Sequence, residues 1–291
     1  MELIDSHAHI DAPQFAEDRE AMLGRARVAG VSTLLAIGTG PGPEKLDAAL
    51  PLAEAHDWIY TTVGIHPHEA HQVTEAHLDE LARLAKHPKV IAWGEIGLDY
   101  FYDHSPRDVQ ERVFRDQMAL AREARLPIII HCRDAWADCL KLLEEVWRPA
   151  GLGGILHCFT STLADARSGL DMGFLISFAG NSTYPKTQNL RDIAKVLPLE
   201  NILIETDSPY LAPQRVKVHS VPLFPWLPSS QSLLFFQYAE IGFAACQFLR
   251  PALIRPTSTA WDLVRRWERF GPATSTAFQS FRAEPDTPAE R

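Results

Sequence analysis

The sequence predicts a (β/α)8 barrel of the TIM type, and three observations predict it. Eight short runs rich in β-branched and apolar residues recur along residues 1–213; helix-period segments separate them; and histidine or carboxylate closes six of the eight runs. Eight parallel strands with intervening helices close most economically into a barrel, although counting alone leaves a doubly wound open sheet as the alternative.

The first strand is expected over Leu3 to Asp5, and it runs into His7 and His9. In an extended segment positions i and i+2 share a face, so these imidazoles point the same way while Ala8 points the other. A helix is expected across PQFAEDREAMLGRARVAG, where Phe15, Met22, Leu23 and Ala26 recur at helical spacing and Gly30 ends it. Strands follow at Val31 to Ile37 and at Ile59 to Ile65, the latter leading into GIHPHE with His66 and His68. The fourth, Val90 to Gly94, opens into GEIGLDY, whose glycines are expected to make a tight turn after the strand that presents Glu95. RDVQERVFRDQMALAREAR is a charged amphipathic helix. The last four strands are expected at Pro127 to His131, Gly154 to His157, Phe174 to Ser177 and Ile202 to Glu205, the last followed by Asp207.

Bulk properties narrow the function. With 46% hydrophobic and 22% charged residues in 291, the chain is an ordinary globular one. A net charge of -9 supplies no global field for nucleic acid, so any such contact must use a local basic patch or bound cations. The four cysteines form no CxxC pair, which argues against a disulfide framework or zinc knuckle and fits a reducing cytoplasm. No secretory signal is read at the N-terminus. Residues 232–249 approach a membrane span in length, but Gln237, Glu240 and Gln247 interrupt them, so no membrane association is expected.

Barrel enzymes work at the C-terminal ends of their strands, and there the sequence places His7, His9, Glu95, His131, His157 and Asp207. Taken singly, each histidine reads as an ordinary surface or core residue. Six together read as ligands. Imidazole and carboxylate without thiolate suit Zn, Mn, Fe or Mg ions in an open site. Six exceed the needs of one ion, so two are expected: His7, His9 and Asp207 on one, His131 and His157 on the other, Glu95 bridging. Such a pair turns bound water into hydroxide near neutral pH, and the chemistry implied is hydrolysis, with Glu95 and Asp207 as catalytic carboxylates. His66 is read as a phosphate-orienting or proton-shuttling residue, and His68 as loop surface. Arg133 is either a phosphate clamp or an ion-pair partner of Asp134 or Asp138. Glu205, two residues before Asp207, is expected to face the barrel interior with it and hold a neighbouring His or Lys. Cys132 and Cys158 are read as packing residues.

In order, the segments DSHAHID, VGIHPHE, GEIGLDY, IIIHCRDA, LHCFTS, ISFAG and IETDSPYLAP resemble the TatD family of metal-dependent deoxyribonucleases over residues 2–213. The resemblance implies a TIM barrel, two divalent ions (Mg2+, Zn2+ or Mn2+) and hydrolysis of DNA phosphodiesters, often by 3′ to 5′ exonuclease action on single strands or 3′ ends. Its metal ligands fall on the same six residues, and His66 matches a further histidine of the family's cleft.

Residues 214–291 depart from that family. A basic RGKRNEP-like stretch and a final helical region are expected after SPYLAP, and QRVKVHSVPLFPWLPSS stands there instead. The segment reads as a divergent tail, disordered or out of frame, that would leave the last strand uncovered and lower stability. Two alternatives to a nuclease accompany this reading: a metal-dependent amide or ester hydrolase on the same barrel, and a defective, non-catalytic product of the altered tail.

Overall fold

Parallel strands buried on both faces need apolar residues at successive positions, and the apolar runs of this chain supply them. The computed structural model describes residues 3–214. Its strands are β1 (Leu3–Ala8), β2 (Val31–Ala36), β3 (Ile59–Val63), β4 (Val90–Asp99), β5 (Ile128–Arg133), β6 (Gly154–Leu156), β7 (Phe174–Phe178) and β8 (Ile202–Ile204). They form one sheet in the order β1-β2-β3-β4-β5-β6-β7-β8, and every adjacent pair is parallel. Helices α1 (Arg19–Val28), α2 (Leu50–Ala55), α3 (Glu75–Leu84), α4 (Arg107–Ala124), α5 (Trp136–Leu142), α6 (Leu163–Asp171) and α7 (Gln188–Val196) lie between successive strands.

Leu35, Tyr60, Ile91, Ile129, Ile155, Leu175 and Leu203 form a single buried cluster with one residue from each of β2 to β8, which is the barrel lumen. Their neighbours along the strands, such as Ile128, Ile130, Phe174 and Ile176, point outward and pack with Phe114 and Met118 of α4, Leu142 of α5 and Ala166 of α6. The seam between β1 and β8 is closed by side chains as much as by backbone. The Asp5 carboxylate accepts the Thr206 amide at 3.0 Å and its hydroxyl at 2.7 Å, and the Ser6 hydroxyl donates to the Ile204 carbonyl at 3.0 Å. Just beyond, the Asp207 amide donates to the His7 carbonyl (2.9 Å) and the His9 amide to the Ser208 carbonyl (2.8 Å).

Three expectations about elements need correction. The first helix begins at Arg19 instead of Pro13, because Pro13–Phe15 form a 3-10 turn and the Arg19 side chain takes up the carbonyls of Ile10 and Asp11 at 2.7 and 3.1 Å. Phe15 still packs with Met22, Leu23 and Ala26. The glycines of GEIGLDY make no turn after the strand: Gly94 and Gly97 lie inside β4, which continues to Asp99. β8 stops at Ile204, and Asp207 follows with φ of 52°.

No helix among the described residues is long and apolar enough to cross a membrane. Residues 232–249 and the expected divergent tail from 215 onward lie outside the described residues.

Candidate metal centre

Six of the eight strands deliver a histidine or carboxylate to the same end of the barrel. β1 carries His7, which is wholly buried, and the chain reaches His9 one residue after the strand ends. β4 carries Glu95, β5 His131; His66 and His157 begin the loops after β3 and β6, and Asp207 that after β8. All seven side chains anticipated from the sequence converge.

Glu95 stands at the middle. Its Oε2 faces His7 Nε2 at 3.4 Å and His9 Nε2 at 3.7 Å, and the same two nitrogens lie 3.6 and 3.3 Å from Asp207 Oδ1. Its Oε1 faces the other group: His131 Nδ1 at 2.8 Å, His157 Nε2 at 3.4 Å and His66 Nε2 at 3.8 Å. The His7 and His157 rings stack at 3.5 Å between centroids and join the two halves.

Carboxylates and histidines outside that ring aim it. Glu205 Oε1 lies 2.9 Å from His157 Nδ1 while accepting the Cys158 amide at 2.6 Å, and its Oε2 accepts the Ser177 hydroxyl at 2.7 Å. Glu205 thus contacts a histidine and lies inside the barrel as expected, its carboxylate gathered with His7 and His157, although the strand has already ended. Asp99 was not anticipated. Its Oδ2 lies 3.0 Å from His131 Nε2 and 2.9 Å from His68 Nε2, and its Oδ1 accepts the amides of Phe101 and Tyr102 at 3.0 and 2.8 Å. His68 is therefore a partly buried partner of Asp99 instead of loop surface. Arg133 lies over the rings of Phe101 and Tyr102, at 3.9 and 4.7 Å from their centroids. Cys132 is buried as packing predicts; Cys158, half-buried, takes a hydrogen bond from Asn181 Nδ2 at 3.2 Å.

The donor set suits divalent ions. Two ligands on a tetrahedral ion with bonds of about 2.0–2.1 Å stand roughly 3.3 Å apart. His7 Nε2, His9 Nε2 and either Glu95 Oε2 or Asp207 Oδ1 make triangles with edges between 3.3 and 3.7 Å. The two imidazole nitrogens themselves approach to 3.3 Å, which needs a shared proton or a cation between them. His7 Nδ1 is buried without a hydrogen-bond partner, so no protein group fixes this ring's tautomer. Charge points the same way. Burial opposes ionisation of Glu95, but the charges of His157 and His7 and the bond from His131 hold it well below the usual carboxylate range. Asp207 is likewise lowered, burial being outweighed by His9, His157 and His7. Burial, reinforced by neighbouring imidazoles, depresses His7 and His66, which keeps both neutral near pH 7.

A parallel barrel with imidazoles and carboxylates converging at its C-terminal mouth defines the class of metal-dependent hydrolases that act on ester bonds. The family model for TatD related DNases matches residues 4–224, and the chain belongs to that family. It is 41% identical over 211 residues to an uncharacterized metal-dependent hydrolase, YabD, of Bacillus subtilis, covering 72% of this chain and 82% of that one. It is 37% identical over 213 residues to the 3′-5′ ssDNA/RNA exonuclease TatD of Salmonella typhimurium, covering 73% and 81%. Among solved structures it resembles YjjV, a TatD homologue of Escherichia coli K12, with a TM-score of 0.73 at 27% identity over 97% of this chain and 98% of that chain.

Proposed function

We propose that this chain is a divalent-metal-dependent nuclease that releases nucleotides from the 3′ ends of single-stranded DNA. The observation that carries this reading is the bridging position of Glu95, one oxygen toward His7 and His9 and the other toward His131 and His157. His7, His9, Glu95 and Asp207 would hold one ion (Zn2+, Mn2+ or Mg2+), and Glu95, His131 and His157 the other. When bound, the pair neutralises charge on a phosphodiester and brings the pKa of water near neutrality. The similarity to the 3′-5′ ssDNA/RNA exonuclease of Salmonella supports the substrate.

Among the protein's own groups, His66 is placed to orient the phosphate. His66 Nδ1 accepts the His68 amide at 3.2 Å, so in the neutral ring the proton sits on Nε2. That N–H faces the cluster, 3.8 Å from Glu95 Oε1, where it can donate a hydrogen bond to a phosphate oxygen and orient the phosphodiester. Asp99 fixes the ring plane of His131 and keeps a proton on its far nitrogen, and the Glu205 carboxylate stands 2.9 Å from His157 Nδ1 as its charge partner. We take residues 1–213 as the hydrolase unit and place it in the cytoplasm, in keeping with free Cys132, Cys139 and Cys158.

The test is release of nucleotides from a 3′-labelled single-stranded DNA by the metal-loaded protein, with and without EDTA. Metal-dependent release stepwise from the labelled end supports the reading. A folded, metal-loaded protein that cuts no phosphodiester but opens esters or amides overturns it.

Two further results are expected. Asp99→Asn removes the charge that orients His131, and zinc affinity should fall about 10- to 100-fold in a competitive chelator titration, with the fold retained. Metal uptake should also release protons. Burial opposes a charge on His157, but Glu205 and Glu95 outweigh it and push its pKa up to about 10, so this ring is protonated in the metal-free protein at neutral pH. A ligand must be bare, so affinity rises with pH by up to about tenfold per unit for each proton displaced. Calorimetry of zinc binding in buffers of different ionisation enthalpy reads the proton number directly; a value of zero contradicts the assignment of His157.

A further inference from the structure

Among the described residues three aromatic side chains stand about half in water: Phe101 (54% exposed), Tyr102 (49%) and Tyr210 (50%). All three lie at the mouth of the barrel, Phe101 and Tyr102 directly after β4 and Tyr210 three residues after Asp207. The other large apolar residues exposed among the described ones, Val28 and Val196, end α1 and α7, where helices running back from the strands reach the opposite face. Exposed apolar surface concentrated beside one site marks a place that something covers.

The rings flank the donor cluster from both sides. Tyr210 stands edge-on to His9 at 5.6 Å, beside the half that gathers on Glu95 Oε2. Tyr102 stands edge-on to His68 at 5.3 Å, and His68 in turn to His131 at 6.1 Å, beside the half that gathers on Oε1. The second group is braced: Phe101 meets Tyr102 edge to face at 4.9 Å, His104 stacks on Tyr102 with 5° between ring planes, and the Arg133 guanidinium lies across both Phe101 and Tyr102. That explains why Arg133 pairs with rings and not with Asp134 or Asp138.

We propose that Tyr210 and the Phe101–Tyr102 pair are stacking faces for two unpaired nucleobases, one on each side of the phosphodiester held at the cluster, with Arg133 lending the second face positive charge. The proposal rests on the nuclease reading and deepens it. A chain with a net charge of -9 has no broad basic surface to attract a phosphate backbone, so away from the bound cations and Arg133 the strand needs contacts that do not depend on charge. Stacking on aromatic rings is such a contact, is tolerant of sequence, and requires bases that are not already paired in a duplex.

The experiment measures binding of the metal-loaded full chain by fluorescence anisotropy to two 5′-labelled, 3′-phosphorothioate-protected oligonucleotides. One is a thymidine decamer, and the other is identical except that its last two nucleotides lack bases. Wild type should bind the base-bearing strand about tenfold or more tightly than the abasic one, and Tyr102→Ala and Tyr210→Ala should each remove about fivefold or more of that preference. Tyr102→Trp should restore it, which a merely structural role would not require. Equal binding of both strands by wild type, or loss in the alanine variants that is the same on both strands, overturns the proposal. Parallel cleavage of unprotected strands separates the two ideas. Base-dependent binding without nucleotide release retires the nuclease reading alone, and release without base preference retires the stacking faces alone.

Discussion

Glu95→Ala should lower nucleotide release by about 10^3- to 10^4-fold, corresponding to roughly 4–5.5 kcal/mol of lost transition-state stabilisation. Among the described residues it is the side chain whose two oxygens touch both donor groups, so its loss separates the halves instead of trimming one of them. Bound zinc, measured by elemental analysis after gel filtration, should fall from two equivalents to one or none. Burial of the histidines sharpens the effect, because the protonated His157 then faces His7 at 3.5 Å without the carboxylate that offsets its charge. Glu95→Gln should lose activity almost as fully, since an amide keeps the volume but not the charge. A variant that retains two equivalents of metal and near wild-type release would show that Glu95 does not bridge.

The largest effect on stability is expected away from any ligand, at Gly97. Its φ is 144°, where side chains bearing Cβ are strained, and a Cβ built there would lie 2.0 Å from the His131 carbonyl oxygen. Gly97 pairs with His131 across β4 and β5, so relief of the clash must push apart the strand that carries Glu95 and the strand that carries His131. Gly97→Ala should cost about 3 kcal/mol from strain and displacement together. For a chain of this size that lowers the thermal midpoint by roughly 6–12 °C. Metal affinity should fall as well, since both strands hold donors. Scanning calorimetry with and without zinc separates the two losses, and a midpoint within about 2 °C of wild type would contradict the packing argument.

The same two strands show how far the site was legible. Strand alternation put His7 and His9 on one face, and the rule that barrel sites gather at strand ends picked His131, His157 and Asp207 without knowledge of any contact. Asp99 escaped because the glycines of GEIGLDY read as a turn, which ended the strand at Gly94. Had the run been followed at period two, Glu95, Gly97 and Asp99 would have fallen on one face. Glycine was needed there for close backbone approach and not for reversal, a distinction that local propensity does not carry. The eighth strand failed in the opposite sense. β8 ends before Glu205 and Asp207, and the positive φ of Asp207 turns it toward His7 and His9, yet both carboxylates reach the cluster, Glu205 beside His157 and His7. Phe15 shows a third kind of gap: its burial was predicted by helical spacing, but a 3-10 turn held by Arg19 places it there.

The seam between β1 and β8 gives the barrel an order in time. Asp5 and Thr206, which meet across it, are 201 residues apart in the chain. Contacts of such separation come late, because the intervening chain must be brought to a ring before they reward its closure. During synthesis the strand bearing His7 and His9 is made first and must wait for Asp207 to leave the ribosome before that half of the donor set exists. Until then the growing chain is an open curl with one bare edge. An ion captured by His7, His9 and Asp207 would act on the finished ring as a clasp acts on a necklace, joining its two ends where the chain itself has no covalent bond.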